Sequence, residues 1–187
     1  MLQATRGDLG GLAGYLDARR PQVLQRWRDA VTGDESLDAT SDWSLKQLND
    51  HFPDVLEVLG NVLRCWPDLP VSVTTAEHDA AVAHARTRWL QGYSLRGVVR
   101  EWGHLNSVVV DEIASFRPLA SESGFHRIAL AAWARVLNDQ QALSALEYHE
   151  LEQAEAETRG AELRRALDAL RSIASDRGRA IATDGGR

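Results

Sequence analysis

From residue 122 to residue 173 the chain contains no proline, and its only glycines there are Gly124 and Gly160. The first part of this run carries core-type residues, Phe125, Ile128, Leu130, Trp133, Val136 and Leu137. Beyond Asp139 the apolar pattern thins to Leu143, Leu146, Leu151 and Ala154, then Leu163, Leu167, Leu170 and Ile173. A continuous helix of about 50 residues would be roughly 75 Å long at 1.5 Å per residue. A body of ~120 residues has a radius of gyration of only roughly 14 Å. Such a helix outruns the body, and a polar helix alone in water is marginal, so pairing as a dimeric coiled coil is expected. Counting back from Leu170 and Leu167 in steps of three and four, the seam passes through Leu163, Gly160, Ala156, Gln153, His149 and Leu146. Its ends are apolar and its middle is small or polar. That is either a simple shift of frame or a weak connector whose packing switches between registers. The sequence does not give the direction of pairing, though a signalling role would require parallel helices.

The rest of the chain is also punctuated for helices. Leu9, Leu12 and Leu16 recur at helical spacing, and Pro21 suits the first turn of a second helix carrying Val23, Leu24, Trp27 and Val31 up to Gly33. Residues 33–43 are polar and turn-rich, and a short helix with Leu45 and Leu48 follows Ser41 or Asp42 as cap. Pro53 opens a helix with the stripe Val55, Leu56, Leu59, Val62, Leu63 and Trp66, closed by Pro67 and Pro70. Thr74 or Thr75 caps the next, holding Ala81, His84, Ala85, Arg88 and Trp89 and stopping at Gly92. Ser94 caps another with Leu95, Val98, Val99, Trp102, Leu105, Val109 and Ile113, ending before Pro118. No stretch alternates with a period of two. The expected fold class is all-α, a helical bundle with a globin-like arrangement as one form of it, followed by the long C-terminal helix.

Composition narrows the function classes. The 187 residues carry 21 Lys and Arg against 27 Asp and Glu, a net of −6, which argues against a nucleic-acid binder. The excess has an address: residues 139–162 hold seven acidic residues and one basic, leaving the remainder balanced. Cys65 is the single cysteine, so no internal disulfide forms, and beside Trp66 it reads as a buried hydrophobe. No apolar run approaches the ~20 residues of a membrane span, and MLQATRGDLGGL lacks the form of a signal peptide. A cytoplasmic protein is expected.

Catalytic signatures are missing: GxSxG, a P-loop and GxGxxG after a strand do not occur. Neither do the kinase catalytic motifs. The histidines, at 51, 78, 84, 104, 126 and 149, show no HxxxH or HExxH spacing, and no metal site is expected. A haem needs only one axial histidine in an apolar pocket, so it stays as an alternative with His84 or His104 as ligand. The densest polar and aromatic cluster is HARTRWLQGYSLRGVVREWGH, residues 84–104. His84 and Arg88 share a helix face, as do Arg96 and Arg100, with Glu101 as an ion-pair partner within the cluster. Two readings stand side by side. One is a well-packed helical hairpin with Trp stacking and Arg–carboxylate pairs. The other is a pocket for an anionic or aromatic small ligand, lined by His84, Arg88, Trp89, Tyr93, Arg100, Trp102 and His104.

The same stretch resembles the central signature of the RsbRD N-terminal-like family, named for the N-terminal domains of RsbT co-antagonist proteins. The matching residues are His84, Arg88, Gln91, Gly92, Tyr93, Ser94, Leu95, Val99, Arg100, Glu101, Trp102 and Leu105. VLQRWRDAV (23–31) is similar to the family's opening helix and LNDHFPDVLEVLGNVL (48–63) to its second block. Trp102 stands where the family more often has Tyr. The resemblance covers about residues 10–140 and implies an all-helical sensory or dimerisation module at the N-terminus of a bacterial signalling protein, ahead of a histidine kinase core, a PAS domain or a STAS domain. YHELEQ, around His149, resembles a phosphoacceptor box but lacks the Arg-Thr-Pro that follows it.

Together these readings divide the chain into a sensor or dimerisation domain (1–140), a signalling helix (141–175) and a flexible tail or cut end (176–187). The expected function is the N-terminal sensory domain of a bacterial two-component sensor histidine kinase or a related stress regulator. It would be a homodimer that relays a signal through Leu143, Leu146, Leu163, Leu167 and Leu170 to an output domain in the same protein. The leading reading involves no cofactor, nucleic acid or membrane. The alternatives are a haem- or small-ligand-binding globin-like sensor and a non-enzymatic scaffold that recruits a partner.

Overall fold

Pro21 does not open a helix; it lies inside one. In the computed structural model, which describes residues 2–37, 52–68, 75–119 and 124–184, helix α1 runs unbroken over Leu2–Thr32. Proline in a helix interior removes one backbone bond and crowds the preceding turn, at a cost of ~3 kcal/mol. Against that stand Leu9, Leu12, Ala13, Leu16, Val23, Leu24, Trp27 and Val31, all buried on one continuous face. Each large side chain in that set contributes about 1.5–3 kcal/mol on burial. The continuous face outweighs the local break, and the two expected helices are one.

Four further helices follow: α2 Phe52–Cys65, α3 Thr75–Leu90, α4 Leu95–Ser115 and α5 Phe125–Asp184. Among the described residues there is no strand, and the fold is all-α. The expected short helix at Leu45 and Leu48 lies outside the described residues. Helix α2 has Pro53 in its first turn and buries Val55, Leu56, Leu59 and Leu63 as the spacing predicts. Cys65 departs from its expectation: it is exposed, because two residues past Leu63 the helix places it off the buried stripe. Helix α3 ends at Leu90 and the chain turns at Gly92, whose φ of +77° suits glycine, and Ser94 caps α4 by accepting from the Gly97 amide at 3.1 Å.

The chain divides into two units, Met1–Tyr148 and His149–Arg187. In the first, α1 packs on α2 and α4, and α2 packs on α3. Residues of α5 join that core through Phe125, Ala129, Ala132, Trp133 and Val136, then through Gln140, Ser144 and Tyr148. The expected boundary at residue 140 therefore moves to 148. Hydrophobic patterning misses this extension because its inward positions turn polar: Ser144 Oγ donates to the Ala81 carbonyl at 3.1 Å. Leu146, expected to face a partner, is 56% exposed, while Leu143 is half-buried.

In the second unit the helix continues to Asp184, so the expected flexible tail from residue 176 is helical over most of its length. Between residues 149 and 175 no side chain is buried, and Leu163, Leu167, Leu170 and Ile173 are each more than half exposed. Among the described residues no helix is long and apolar enough to cross a membrane.

If α1 is one helix, Pro21→Ala restores the missing donor opposite the Asp17 carbonyl. It is expected to raise the unfolding free energy by about 1–2 kcal/mol in urea titration, after allowing for the entropy proline removes from the unfolded chain. A neutral or destabilising result would mean a helix start at residue 21.

Candidate functional site

The tight turn between α3 and α4 brings two charged side chains thirteen residues apart in sequence into one buried pair. Arg88 Nε donates to Glu101 Oε2 at 2.8 Å and Arg88 Nη2 to Glu101 Oε1 at 2.6 Å, and both side chains are 0% exposed. Arg88 Nη1 donates to Gln91 Oε1 at 3.0 Å, and the guanidinium lies 5.6 Å from the centre of the Tyr93 ring. His84, one turn before Arg88, has Nε2 3.7 Å from Glu101 Oε2.

Every helix of the first unit reaches this pair or a residue packed around it. From α1, Trp27 Nε1 donates to the Glu101 carbonyl at 3.3 Å. From α2, Phe52 stacks on Trp27 at 4.3 Å, on His84 at 5.2 Å and edge-on to Trp102 at 5.0 Å. From α4, Trp102 meets His84 at 5.5 Å. From α5, the Tyr148 hydroxyl donates to the Tyr93 carbonyl. Burial pushes the Glu101 carboxyl up, and the charge of Arg88 draws it back. Burial likewise raises the Tyr93 hydroxyl, helped by the negative charge of Glu101.

Of the seven candidate residues, the structure gathers His84, Arg88, Tyr93 and Trp102 in this cluster, and half-buried Trp89 packs against the core nearby. It sends Arg100 and His104 elsewhere. Four residues apart on α4, they converge on Asp34 in the turn after α1, where Arg100 Nε bonds Oδ2 and His104 Nε2 lies 2.7 Å from the same oxygen. Ser36 donates to the other oxygen through its amide at 3.0 Å and its hydroxyl at 2.7 Å. The hydrogen bond from Arg100, followed by those from Ser36 and His104, holds the Asp34 carboxyl well below the usual carboxylate range.

Sequence reading also missed a third junction. Glu112, almost wholly buried on α4, accepts from Arg19 Nε at 2.7 Å, Arg26 Nη1 at 2.9 Å and the Tyr15 hydroxyl at 2.9 Å. The bond from Arg19 lowers the Glu112 carboxyl more than burial raises it. Tyr15 and Arg19 are four apart and Arg26 two turns on, so a single face of α1 supplies all three; separations of 97, 93 and 86 residues hid their common target.

Chemically, the cluster is a closed polar core. Arg88 is already engaged by a bidentate carboxylate, and capturing an anionic ligand would strand Glu101 as a buried charge. A haem on His84 would need the space that the rings of Phe52 and Trp102 occupy, and His104 is held at Asp34. The packed-hairpin reading is the one the geometry favours, with Glu101 paired to Arg88 across the turn. Among the described residues no group of three or more His, Cys, Asp or Glu is arranged to hold a metal ion. No protein-family model matches the chain, and comparison with curated proteins and with solved structures gives no match either.

Arg88→Met leaves Glu101 buried without its counter-charge, and a loss of about 3–5 kcal/mol is expected in urea unfolding. Arg88→Met with Glu101→Leu should recover most of that loss, because the uncompensated charge is gone. For Glu112, a carboxyl depressed in the folded state adds stability above its unfolded value that is lost as pH falls through the folded one. Stability should therefore decline as pH drops below the ordinary glutamate value of 4.5, with Asp34 adding in the same sense. Glu112→Gln should flatten that decline and cost about 1–2 kcal/mol at neutral pH, the arginine partners being partly solvated.

Proposed function

We propose that this chain is the sensory and self-association module of a cytoplasmic bacterial signalling protein of the RsbRD N-terminal-like type, with a histidine kinase or related stress regulator as its parent. It works as a homodimer, paired through the second unit, and passes a signal along α5 toward an output domain. The observation that carries this reading is the row of exposed leucines on the helix of residues 149–175, apolar surface of the kind that marks a protein contact.

Two further features support it. Six of the twelve residues that carry the central resemblance build the buried cluster: His84, Arg88, Gln91, Tyr93, Glu101 and Trp102. The cluster also has a direct mechanical outlet. Tyr148 is the last residue of the first unit, and its hydroxyl bonds the backbone of the α3–α4 turn. Any rearrangement of that turn acts on α5 one residue before the exposed helix begins. The signal is thus read as a change in helix packing, with no chemistry carried out by this chain.

Sedimentation velocity of the full chain tests the reading. A dimer is expected at tens of micromolar, and Leu163→Lys, Leu167→Lys and Leu170→Lys together should give a monomer with unchanged unfolding of the body, since all three side chains are exposed. A wild-type monomer rejects self-association, and a dimer that survives the triple variant rejects the helix as its seat.

A further inference from the structure

Within the first unit, helix α5 docks in two halves that differ in partner and in chemistry. From Phe125 to Val136 it lies against α4. Trp133 Nε1 donates to Asn106 Oδ1 at 2.9 Å, and the Phe125 ring lies 5.6 Å from that of Phe116, the C-cap of α4. The inward positions here are Phe125, Ala129, Ala132, Trp133 and Val136, all buried and all apolar. From Gln140 to Tyr148 the partner is α3 and the turn after it. Ser144 Oγ donates to the Ala81 carbonyl at 3.1 Å, Arg86 Nε to Glu147 Oε1 at 2.7 Å, and the Tyr148 hydroxyl to the Tyr93 carbonyl. The buried inward positions of this half are Gln140, Ser144 and Tyr148.

Different forces hold the two halves. In the first, three large apolar side chains leave water, which offers them nothing in exchange. In the second, the ring of Tyr148 and half-buried Leu143 supply most of the apolar burial, and the rest is hydrogen bonds that exchange for bonds to water at little net loss. The Arg86–Glu147 pair adds little, since the Arg86 side chain is 62% exposed. The changeover falls on Asn138 and Asp139. Both residue types rank low as helix formers because their side chains compete for backbone hydrogen bonds, so the helix is intrinsically weak where its partner changes. Beneath the second half lies the buried cluster. Ala81 shares its face of α3 with His84, Ala85 and Arg88, all of them buried. Ser144 meets the start of that row, and Tyr148 the turn that follows it.

We propose that residues 140–148 are a latch that opens from α3 as a unit, hinging at Asn138 and Asp139, while residues 125–136 stay docked on α4. Local openings draw on segments with few buried apolar contacts, and this one admits water to the face of α3 on which Arg88 meets Glu101. The inference concerns a single copy of the chain, goes beyond the self-association reading and stands if that reading fails.

The test reads thiol labelling of full-length chains in a Cys65→Ser background, because Cys65 is exposed and would react. Ser144→Cys and Ala132→Cys each place a thiol at a buried position, one in either half. Each labelling rate is compared with the rate set by the same variant's own global unfolding in urea. The bond of the serine hydroxyl is broken in the opened and the unfolded chain alike, so its loss cancels in that comparison. The thiol at position 144 is expected to react about a hundredfold faster than global unfolding allows, at a rate that rises only weakly with urea. The thiol at position 132 is expected to react at its global rate. Both reacting at their global rates would mean that the first unit opens as a whole, and overturns the proposal. Both reacting faster would mean that all of α5 leaves the body together, and overturns the hinge. Added to Ser144→Cys, Tyr148→Phe removes the bond to the Tyr93 carbonyl and should speed labelling at position 144 about fivefold. An unchanged rate would mean that Tyr148 stays docked while position 144 is exposed, and overturns the latch as a unit.

Discussion

The buried pair of Arg88 and Glu101 is the constraint on which the other contacts of the first unit depend. Two opposite charges without solvent gain little net stability, since desolvation offsets most of their attraction. What they fix is geometry. The bidentate bond allows one rotation and one register of α3 against α4, and Gly92 and Ser94 make the turn that reaches it. Once Glu101 is set, its carbonyl receives Trp27 from α1, and the space beside it is filled by Phe52, His84 and Trp102. All five helices thus meet at the pair or at a residue packed beside it.

The same logic extends along α4. Glu101 and Glu112 are eleven residues apart, about three helical turns, so they lie on one face. Trp27 meets the first, while Arg26, Arg19 and Tyr15 meet the second, so α1 and α4 run antiparallel with numbering descending along one as it rises along the other. Asp34 completes the arrangement from the end of α1 by gathering Arg100 and His104. Acidic residues taken out of solvent act as anchors, and arginines from neighbouring elements come to them. In a chain whose basic residues are almost all arginine, that forked geometry is available at every junction.

What was legible in the sequence follows from the range of each signal. Stripes at period 3.6 located α2, α3 and α4, and Gly92 with Ser94 located the turn between the last two, because those signals are local. Pro21 misled because a local penalty was overruled by burial on both sides of it. The end of the body misled for the opposite reason: Gln140, Ser144 and Tyr148 hold the inward face of α5 partly with hydrogen bonds, which hydropathy does not register. For the site, the 84–104 segment was visible as a dense cluster, but its partition was not. Whether Arg88 or Arg100 takes Glu101 depends on where Asp34 lies, 66 residues away from Arg100. That is a tertiary fact with no local trace.

Helix α5 changes character along its length without a break in backbone. Up to Tyr148 its inward positions are aromatic, small or hydrogen-bonded; from His149 to residue 175 no side chain is buried. The acidic excess of the chain begins in the same stretch, between residues 139 and 162. A glutamate-rich surface keeps such a helix solvated, and the arginines beyond it keep the net charge of the whole element small. Solubility alone would be met by interspersing the two signs, which also gives the best pairs within a helix. Interspersed charges occur in this helix, in Glu155 with Arg159 and Asp168 with Arg171.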